Sequence, residues 1–214
     1  MDYRIREDNY IVNHEYTDTC TVTVVPNVKI YLSPENQNKS SSNTIDFYGT
    51  ERERMEQLAH ALYSYLSYQL KLNVTIGDLT IGYEPIDAKE RRDESNTGNY
   101  DLHICLHSNA FDGIATGPRV FYLDSDIKGT KIAQNVYDKL FDLYKISFPN
   151  ASKTDTKNTG SDYLEVRETN ATVILVEVAF HDVVTDAHWI INNMQEIAKA
   201  IGNGVLKYIL DNYN

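Results

Sequence analysis

Apolar residues recur at the spacing of an amphipathic helix in three long segments of the chain. The residues that define the three apolar faces are Met55, Leu58, Ala59, Leu62, Leu66 and Leu70, then Ile132, Val136, Leu140 and Leu143, and finally Ile197, Ile201, Val205 and Ile209. Thr50 is the predicted N-cap of the first helix, and Glu53 completes a capping box three residues later. Asn193 and Glu196 stand in the same relation at the start of the last helix. The pattern therefore predicts three helices that each bury one face.

Short apolar runs bounded by polar segments predict five β-strands. They cover residues 28–32, 72–76, 101–106, 119–123 and 172–178. Because strands alternate with helices, the predicted fold class is α/β, a mostly parallel twisted sheet with helices on both faces. Residues 28–214 are predicted to form this one domain, and residues 1–27 to form an N-terminal β-like arm or hairpin. The polar segments 38–48, 77–99 and 147–162 are predicted to be loops.

The net charge of -11 and the cysteine content narrow the classes of function. Nucleic-acid binding depends on a basic surface, so no nucleic-acid partner is predicted. No apolar run approaches the roughly 18 residues of a membrane helix, so no membrane span is predicted. Cys20 and Cys105 form no CxxC pair, which argues against a cysteine zinc site. Since no secretory signal is visible, the protein is expected either to be cytoplasmic before its release or to be a secreted fragment.

In open α/β sheets, functional side chains collect at the carboxyl ends of the strands. His107 ends the strand 101–106. It is either a hydrogen-bonded structural histidine or a metal ligand, since imidazole suits zinc. Glu51 follows the N-cap Thr50 at the first helical position, where it has no capping function. It either complements the helix dipole or serves as a carboxylate ligand that faces the strand ends.

Two further candidates lie at the end of the last predicted strand. Glu177 interrupts a continuous apolar run, and a carboxylate is costly to bury unless it is paired or near a metal. Burial also raises the pKa of a carboxyl group, which suits a general base and acid. A salt bridge to Arg167 or Arg92 is the structural alternative. His181 follows four residues later, and its structural alternative is a loop histidine held by Asp182.

Four segments, taken in order, resemble those of a known enzyme family. They are residues 101–110, which end in His-Ser-Asn-Ala, 117–122, 164–169 and 176–180, which read Val-Glu-Val-Ala-Phe. The resemblance is to the zinc-dependent N-acetylmuramoyl-L-alanine amidases of the amidase 3 type, and it covers about residues 28–210. It implies a peptidoglycan hydrolase, either a phage-type endolysin or a host autolysin, that cleaves the amide between N-acetylmuramic acid and L-alanine with a zinc-activated water. The implied partner is peptidoglycan, both glycan strand and stem peptide.

The resemblance also implies roles for individual residues. Glu51 and His107 are implied as zinc ligands, and Glu177 is implied as the catalytic carboxylate. The family's first ligand is a histidine in a turn after the first strand, but Asn36 stands at that position in this chain. A neutral amide oxygen is a poor substitute for imidazole on zinc, so a third ligand must be found elsewhere.

The missing histidine leaves three alternatives open. We predict that His181 supplies the third zinc ligand from the loop after the last strand. Alternatively, Glu35, Asn36 or Gln37 completes a weaker site. In the third alternative the chain binds no metal and is an inactive peptidoglycan-binding protein with an amidase fold. A zinc peptidase of a related α/β fold is a further rival, because the ligand set alone does not define the substrate.

Overall fold

The centre of the protein is a five-stranded sheet, described here from a computed structural model that covers residues 28–36, 45–73, 76–82, 87–153 and 162–213. The strands are Val28–Pro34 (β1), Ile76–Ile81 (β2), Leu102–Asn109 (β3), Arg119–Phe121 (β4) and Thr172–Phe180 (β5). Their order is β2-β1-β3-β5-β4, and β4 alone among these strands runs antiparallel to its neighbour. The predicted mostly parallel sheet is confirmed. The predicted N-terminal arm, residues 1–27, lies outside the described residues.

The described part of the chain contains six α-helices, which cover both faces of the sheet. They are Glu51–Asn73 (α1), Ala88–Gly98 (α2), Ile127–Ser147 (α3), Leu164–Glu168 (α4), Val184–Asn192 (α5) and Met194–Asn212 (α6), preceded by a short 3-10 turn at Asp46–Tyr48. Helices α1, α3 and α6 pack on one face, and α2 and α4 lie over the other. None of these helices is both long enough and apolar enough to cross a bilayer.

Alternation along the strands gives each face of the sheet its own hydrophobic cluster. Ile104 of β3 and Ile174 of β5 are register neighbours, and both are fully buried in the cluster formed with α1, α3 and α6. Cys105 and Leu175, one residue further along, point to the opposite face and pack with Val166 of α4. The central strands are therefore buried on both faces, as parallel strands usually are.

The structure extends β1, β3 and β5 beyond their predicted carboxyl ends and moves the bounds of the other two predicted strands. Helix α1 continues to Asn73 and β2 begins at Ile76, so the strand predicted over 72–76 is displaced along the chain. The strand predicted over 119–123 ends earlier, at Phe121. Short apolar runs do not distinguish the last turn of a helix from the start of a strand, which explains the first displacement.

The segment 77–99, predicted to be a loop, contains most of β2 and the helix α2. This helix buries Arg91 and Ser95 rather than an apolar stripe, so it has no hydrophobic periodicity to detect. Its start carries a capping box instead. The Asp87 side chain accepts from the Glu90 N–H at 2.9 Å, and the Glu90 carboxylate accepts from the Asp87 N–H at 3.2 Å. That pair was the available signal for the helix.

The two predicted N-terminal caps, those of α1 and α6, turn out differently. The Thr50 hydroxyl accepts from the Glu53 N–H at 3.2 Å, and the Glu53 carboxylate accepts from the Thr50 N–H at 3.1 Å. The predicted capping box of α1 is thus confirmed, and Glu51 takes no part in it. Asn193 is the N-cap residue of α6, as predicted, but its side chain makes no capping hydrogen bond. Its side-chain amide instead donates to the carbonyl of Trp189 in α5.

Gly204 lets α6 approach α3 closely, which gives a stability test. A methyl group at Gly204 would lie 2.5 Å from Cα of Val136, whereas one at Gly202 would meet the side chain of Tyr65. We expect Gly204→Ala to lower the free energy of unfolding by about 1–3 kcal/mol, because a backbone contact must open. Gly202→Ala should cost less, since a side chain can move aside. Chemical denaturation measures both, and equal losses would contradict the expectation.

Candidate active site

Four polar side chains come together at the carboxyl edge of the three central strands. Glu35 follows β1, His107 lies near the end of β3, and Glu177 lies opposite His107 in the register of β5. Glu51, the first residue of α1, reaches the same place from the helix and contacts His107. The structure therefore brings together Glu51, His107 and Glu177, which the resemblance implied for the site, and Glu35, one of the alternatives named for the third ligand.

The imidazole of His107 is the centre of this cluster. Its Nδ1 lies 3.2 Å from Oε2 of Glu35 and 3.4 Å from Oε1 of Glu51. Burial disfavours the charged ring, but the hydrogen bond to Glu51 and the negative charges of Glu177, Glu35 and Glu51 outweigh burial. Together they raise the pKa of His107 to about 9. A protonated ring therefore holds both carboxylates toward the same nitrogen.

The carboxyl group of Glu177 is buried beside the cluster. Only 6% of the residue is exposed, and Oε2 has no hydrogen-bond partner among the described residues. Burial is the main cause that raises the pKa of Glu177 to about 8; the charge of His107 opposes the shift, and the charges of Glu51 and Glu35 add to it. A carboxyl group with a pKa near neutrality can both accept and donate a proton, as general acid–base catalysis requires.

The donor atoms of the cluster suit a divalent cation. Glu35, Glu51 and Glu177 bring three carboxylates next to the imidazole of His107, and zinc takes carboxylate oxygen and imidazole nitrogen as ligands. Oε2 of Glu177 and Nε2 of His107 are buried with no hydrogen-bond partner in the part of the chain that is described. Because like charges at this separation repel, a cation among them would stabilise the arrangement. The residues present therefore fit a metal.

His181, the third ligand predicted from the sequence, takes part in a separate hydrogen-bonded chain. Its Nδ1 lies 2.8 Å from Oγ of Ser108, and the Tyr48 hydroxyl donates to the same oxygen at 2.8 Å. Its ring stacks on that of Tyr48 with centroids 5.3 Å apart. Burial lowers the pKa of His181, and the charge of Glu51 opposes the shift. That His181 binds the metal stays a prediction.

The alternatives to His181 fall in the turn that follows β1. Glu35 is the one in contact with His107, through its Oε2. Asn36 is half-buried next to it, and Gln37 lies outside the described residues. Asn36, where the resemblance implies a histidine, therefore lies beside the cluster. Its neighbour in the chain, Glu35, supplies a carboxylate to the cluster.

The structural partners considered for Glu177 and for the loop histidine are engaged elsewhere. Arg92 and Arg167 both form ion pairs with Glu168 on the surface. Asp182 accepts hydrogen bonds from the backbone N–H groups of the loop after β3, at 2.9 and 3.0 Å. Arg92, Arg167 and Asp182 therefore have other partners, and none of these contacts pairs the buried carboxyl of Glu177.

A second buried polar cluster lies next to the site on the same face of the sheet. Glu165 of α4 accepts hydrogen bonds from Arg91 of α2 and Ser33 of β1, and it lies 3.1 Å from Nε2 of His103. Ligand atoms of His103, Cys105 and Glu165 all lie within 4.8 Å of one another, a spacing at which three side chains could hold a metal. The guanidinium of Arg91, 3.0 Å from Glu165, already supplies a positive charge there. We interpret this cluster as an ion-pair network.

Sequence reasoning missed most of the residues that support the site. Tyr48 falls at the end of a segment predicted to be a loop, and Ser108 sits on the opposite strand face from His107, so no pattern connected them. One feature of the sequence indicated the network of Arg91 and Glu165. Polar residues stand at buried positions of β1 and β3 on the face that also carries His107.

A family comparison agrees with this geometry. The profile of the N-acetylmuramoyl-L-alanine amidase family, Amidase_3, matches residues 35–207 of the 214-residue chain. Fold and family together define a peptidoglycan hydrolase of the amidase class. The chain belongs to the N-acetylmuramoyl-L-alanine amidase family, as the resemblance in its sequence implied. No match was found among curated proteins.

Solved structures share the fold. An N-acetylmuramoyl-L-alanine amidase from Clostridium difficile 630 matches with a TM-score of 0.70 at 22% identity, over 88% of this chain and 99% of that one. The amidase AmiC2 of Nostoc punctiforme gives 0.69 at 16% identity, over 86% and 97%. The catalytic domain of the CD27L endolysin, which targets Clostridia difficile, gives 0.64 at 24% identity, over 84% and 97%. At these identities the likeness shows the fold, and the predicted α/β class is confirmed.

The pair of Arg91 and Glu165 predicts a pH-dependent contribution to stability. Burial favours the neutral acid, but the hydrogen bond and charge of His103 and the charge of Arg91 outweigh it and lower the pKa of Glu165 to about 2. An unfolded glutamate has a pKa of about 4.3. The stabilisation is therefore fully present above the unfolded value and is lost as the pH falls from there toward the folded value.

We expect Glu165→Gln to lower the free energy of unfolding by about 3–5 kcal/mol near neutral pH, because it leaves the guanidinium of Arg91 buried without its partner. The difference from the unsubstituted protein should shrink at acid pH, below the pKa of an unfolded glutamate. Urea unfolding at neutral and acid pH measures both quantities. A difference that does not change with pH would show that Glu165 is not ionised in the folded protein.

Proposed function

We propose that this chain uses zinc to hydrolyse the amide between N-acetylmuramic acid and the first L-alanine of the peptidoglycan stem peptide. The observation that carries the proposal is the buried carboxyl of Glu177. Its Oε2 has no hydrogen-bond partner among the described residues, and it stands opposite His107 at the carboxyl edge of the sheet. Family membership supplies the substrate class.

Glu51 and His107 are proposed to hold the zinc together with a third ligand. Oε1 of Glu51 lies 3.4 Å from Nδ1 of His107, and the backbone N–H of Ser108 donates to the same oxygen at 2.9 Å. Such a hydrogen bond orients a ligating carboxylate. Zinc, when bound, supplies a Lewis acid that lowers the pKa of water and polarises the amide carbonyl.

Glu177 is proposed to move the proton of the reaction. Its carboxylate takes a proton from the attacking water, whose oxygen forms a bond to the amide carbonyl carbon. The C–N bond then breaks, and Glu177 gives the proton to the nitrogen of L-alanine. The products are the lactyl carboxylate of N-acetylmuramic acid and a stem peptide with a free N-terminus. Burial suits this cycle, because it raises the pKa of Glu177 to about 8, which is close to neutral pH. A carboxyl group with such a pKa can both take up a proton and give it back.

One observation favours a second candidate, a binding protein that holds peptidoglycan without cleaving it. Asn36 stands where the family has its first histidine ligand. Elemental analysis of the purified protein separates the two functions. About one zinc per chain supports the hydrolase, whereas a protein that stays free of metal and still sediments with peptidoglycan supports the binding protein.

Replacement of the proposed acid–base residue is the central test. Glu177→Gln keeps the size of the side chain but cannot carry the proton, so the hydrolysis rate should fall by about 10²–10⁴-fold. The rate is measured by mass spectrometry of peptides released from purified peptidoglycan. Intact stem peptides that begin with L-alanine identify the amidase, because a peptidase would cut within the stem.

The matched control is Glu196→Gln, which changes an exposed glutamate of α6 that pairs only with Lys199 in the contacts seen there. It should hydrolyse peptidoglycan at the unsubstituted rate. If Glu177→Gln were as active as this control while both retained the same circular dichroism, Glu177 would have no role in the reaction.

Removal of the metal is expected to abolish hydrolysis and to lower the unfolding temperature. A ligand that binds only the folded state stabilises it in proportion to the logarithm of its concentration, so added zinc should restore both properties. Glu51→Ala should weaken both effects of zinc. The readouts are dye release from labelled peptidoglycan and thermal unfolding after dialysis against a chelator. A chelated protein with full activity would contradict the proposed cofactor.

A further inference from the structure

The turn after β1 supplies a carboxylate to the nitrogen that Glu51 also contacts. Oε2 of Glu35 is 3.2 Å from Nδ1 of His107, and Oε1 of Glu51 is 3.4 Å from it. Two ligands of one tetrahedral zinc at about 2.1 Å stand about 3.4 Å apart, so each of these pairs has the separation of two ligands on one ion. Only 6% of Glu35 is exposed, and its backbone N–H is fixed by the carbonyl of Leu106 at 2.9 Å.

The cluster also contains a group that points to a bound cation independently of Glu35. Glu177 is more than nine-tenths buried, its Oε2 has no hydrogen-bond partner within the described ranges, and its charge couples to Glu35, Glu51 and His107. A buried carboxyl oxygen without a partner is costly unless an ion or a reacting group faces it. An ion or a reacting group at this place would supply the partner that Oε2 of Glu177 lacks.

His181 is engaged in support of this site through Ser108. The side chain of Ser108 lies between Nδ1 of His181 and the Tyr48 hydroxyl, 2.8 Å from each. The backbone N–H of Ser108 donates to Oε1 of Glu51 at 2.9 Å. A second contact ties the two strands together, since the His181 N–H donates to the carbonyl of Asn109 at 2.7 Å. His181 thus fixes the residue that orients a ligand.

We propose that Glu35 completes the metal site with Glu51 and His107, and that His181 is a positioning residue that acts on Glu51 through Ser108. The assignment of these ligands rests on the proposed zinc-dependent hydrolysis only for the role of the metal in catalysis. Metal binding itself is measured without substrate. The ligand set becomes two carboxylates and one imidazole. It differs from the family's set by one anionic oxygen donor in place of a nitrogen.

The proposed ligand atoms of Glu35, Glu51 and His107 do not all lie within 4.8 Å of one another in this structure. Among the described residues, the group whose ligand atoms all lie within 4.8 Å of one another is His103, Cys105 and Glu165. Glu35 and Glu51 each approach Nδ1 of His107, and their like charges repel one another. Binding of a divalent cation would remove this repulsion and draw the two carboxylates together.

The test measures zinc affinity in the full chain by competition with a chromogenic chelator. Glu35→Gln should weaken zinc binding by more than about 100-fold, which exceeds the 10–100-fold loss usual for a residue outside the ligand set. Glu35→His should retain more affinity than Glu35→Gln, because imidazole is itself a zinc ligand. Zinc binding unchanged in Glu35→Gln would overturn the assignment of Glu35.

His181→Gln and Ser108→Ala test the positioning role. Each should weaken zinc binding by about 10–100-fold, and the double variant should lose little more than either one, because both act through the same hydrogen bond. The visible spectrum of the cobalt-substituted protein should be unchanged in both, since no ligand is lost. A His181→Gln protein with an altered cobalt spectrum, beside a normal Ser108→Ala protein, would show that His181 is the ligand instead.

Folding and function are separated from binding by two further measurements. Metal-free Glu35→Gln should unfold at or above the temperature of the metal-free unsubstituted protein, since one like charge has left the cluster, yet it should gain no stability from zinc. Glu196→Gln should match the unsubstituted protein throughout. Zinc binding that depends on Glu35 in a chain that cleaves no peptidoglycan would sustain this assignment and refute the proposed hydrolase.

Discussion

The main constraint on this structure is the negative charge that collects at the carboxyl ends of its central strands. Because β1, β3 and β5 are neighbours and parallel, side chains near or just after their carboxyl ends converge at one edge, and here these include Glu35 and Glu177. Glu51 adds a third carboxylate from α1. The contacts of His107 with Glu35 and Glu51 offset part of this repulsion. The like charges that remain would favour a bound cation at this edge, as the proposed function requires.

The same sheet face solves a similar problem a few residues away by different means. Glu165 is also a buried carboxylate, but Arg91 meets it with a fixed guanidinium and Ser33 adds a hydrogen bond. Arginine is part of the chain and stays charged, unlike a bound ion that can dissociate. The ion pair of Arg91 and Glu165 is therefore a permanent part of the fold. Glu177 has no such partner among the described residues, and its neighbour His107 is the proposed metal ligand. One cluster holds helices to the sheet, and the other is the proposed reaction centre.

The sequence predicted those parts of the molecule that leave a local pattern. Hydrophobic periodicity predicted the sheet and the three helices with apolar faces, but not α2, which buries polar side chains. Glu177 and His107 stood out because strand ends and apolar runs make polar residues visible, and Glu51 stood out beside a capping box. The choice of His181 over Glu35 as the third ligand had no local pattern behind it, because the direction of a side chain beyond the end of a strand depends on the path of the following loop.

The capping box at the start of α1 separates two tasks that often compete at a helix end. Thr50 and Glu53 satisfy the exposed backbone groups of the first turn between themselves, which leaves the intervening Glu51 available to the site. The side chain at this position can therefore change without unravelling the helix. A lineage with this arrangement could exchange the donor at position 51, and with it the metal that the protein prefers, while the scaffold remained intact.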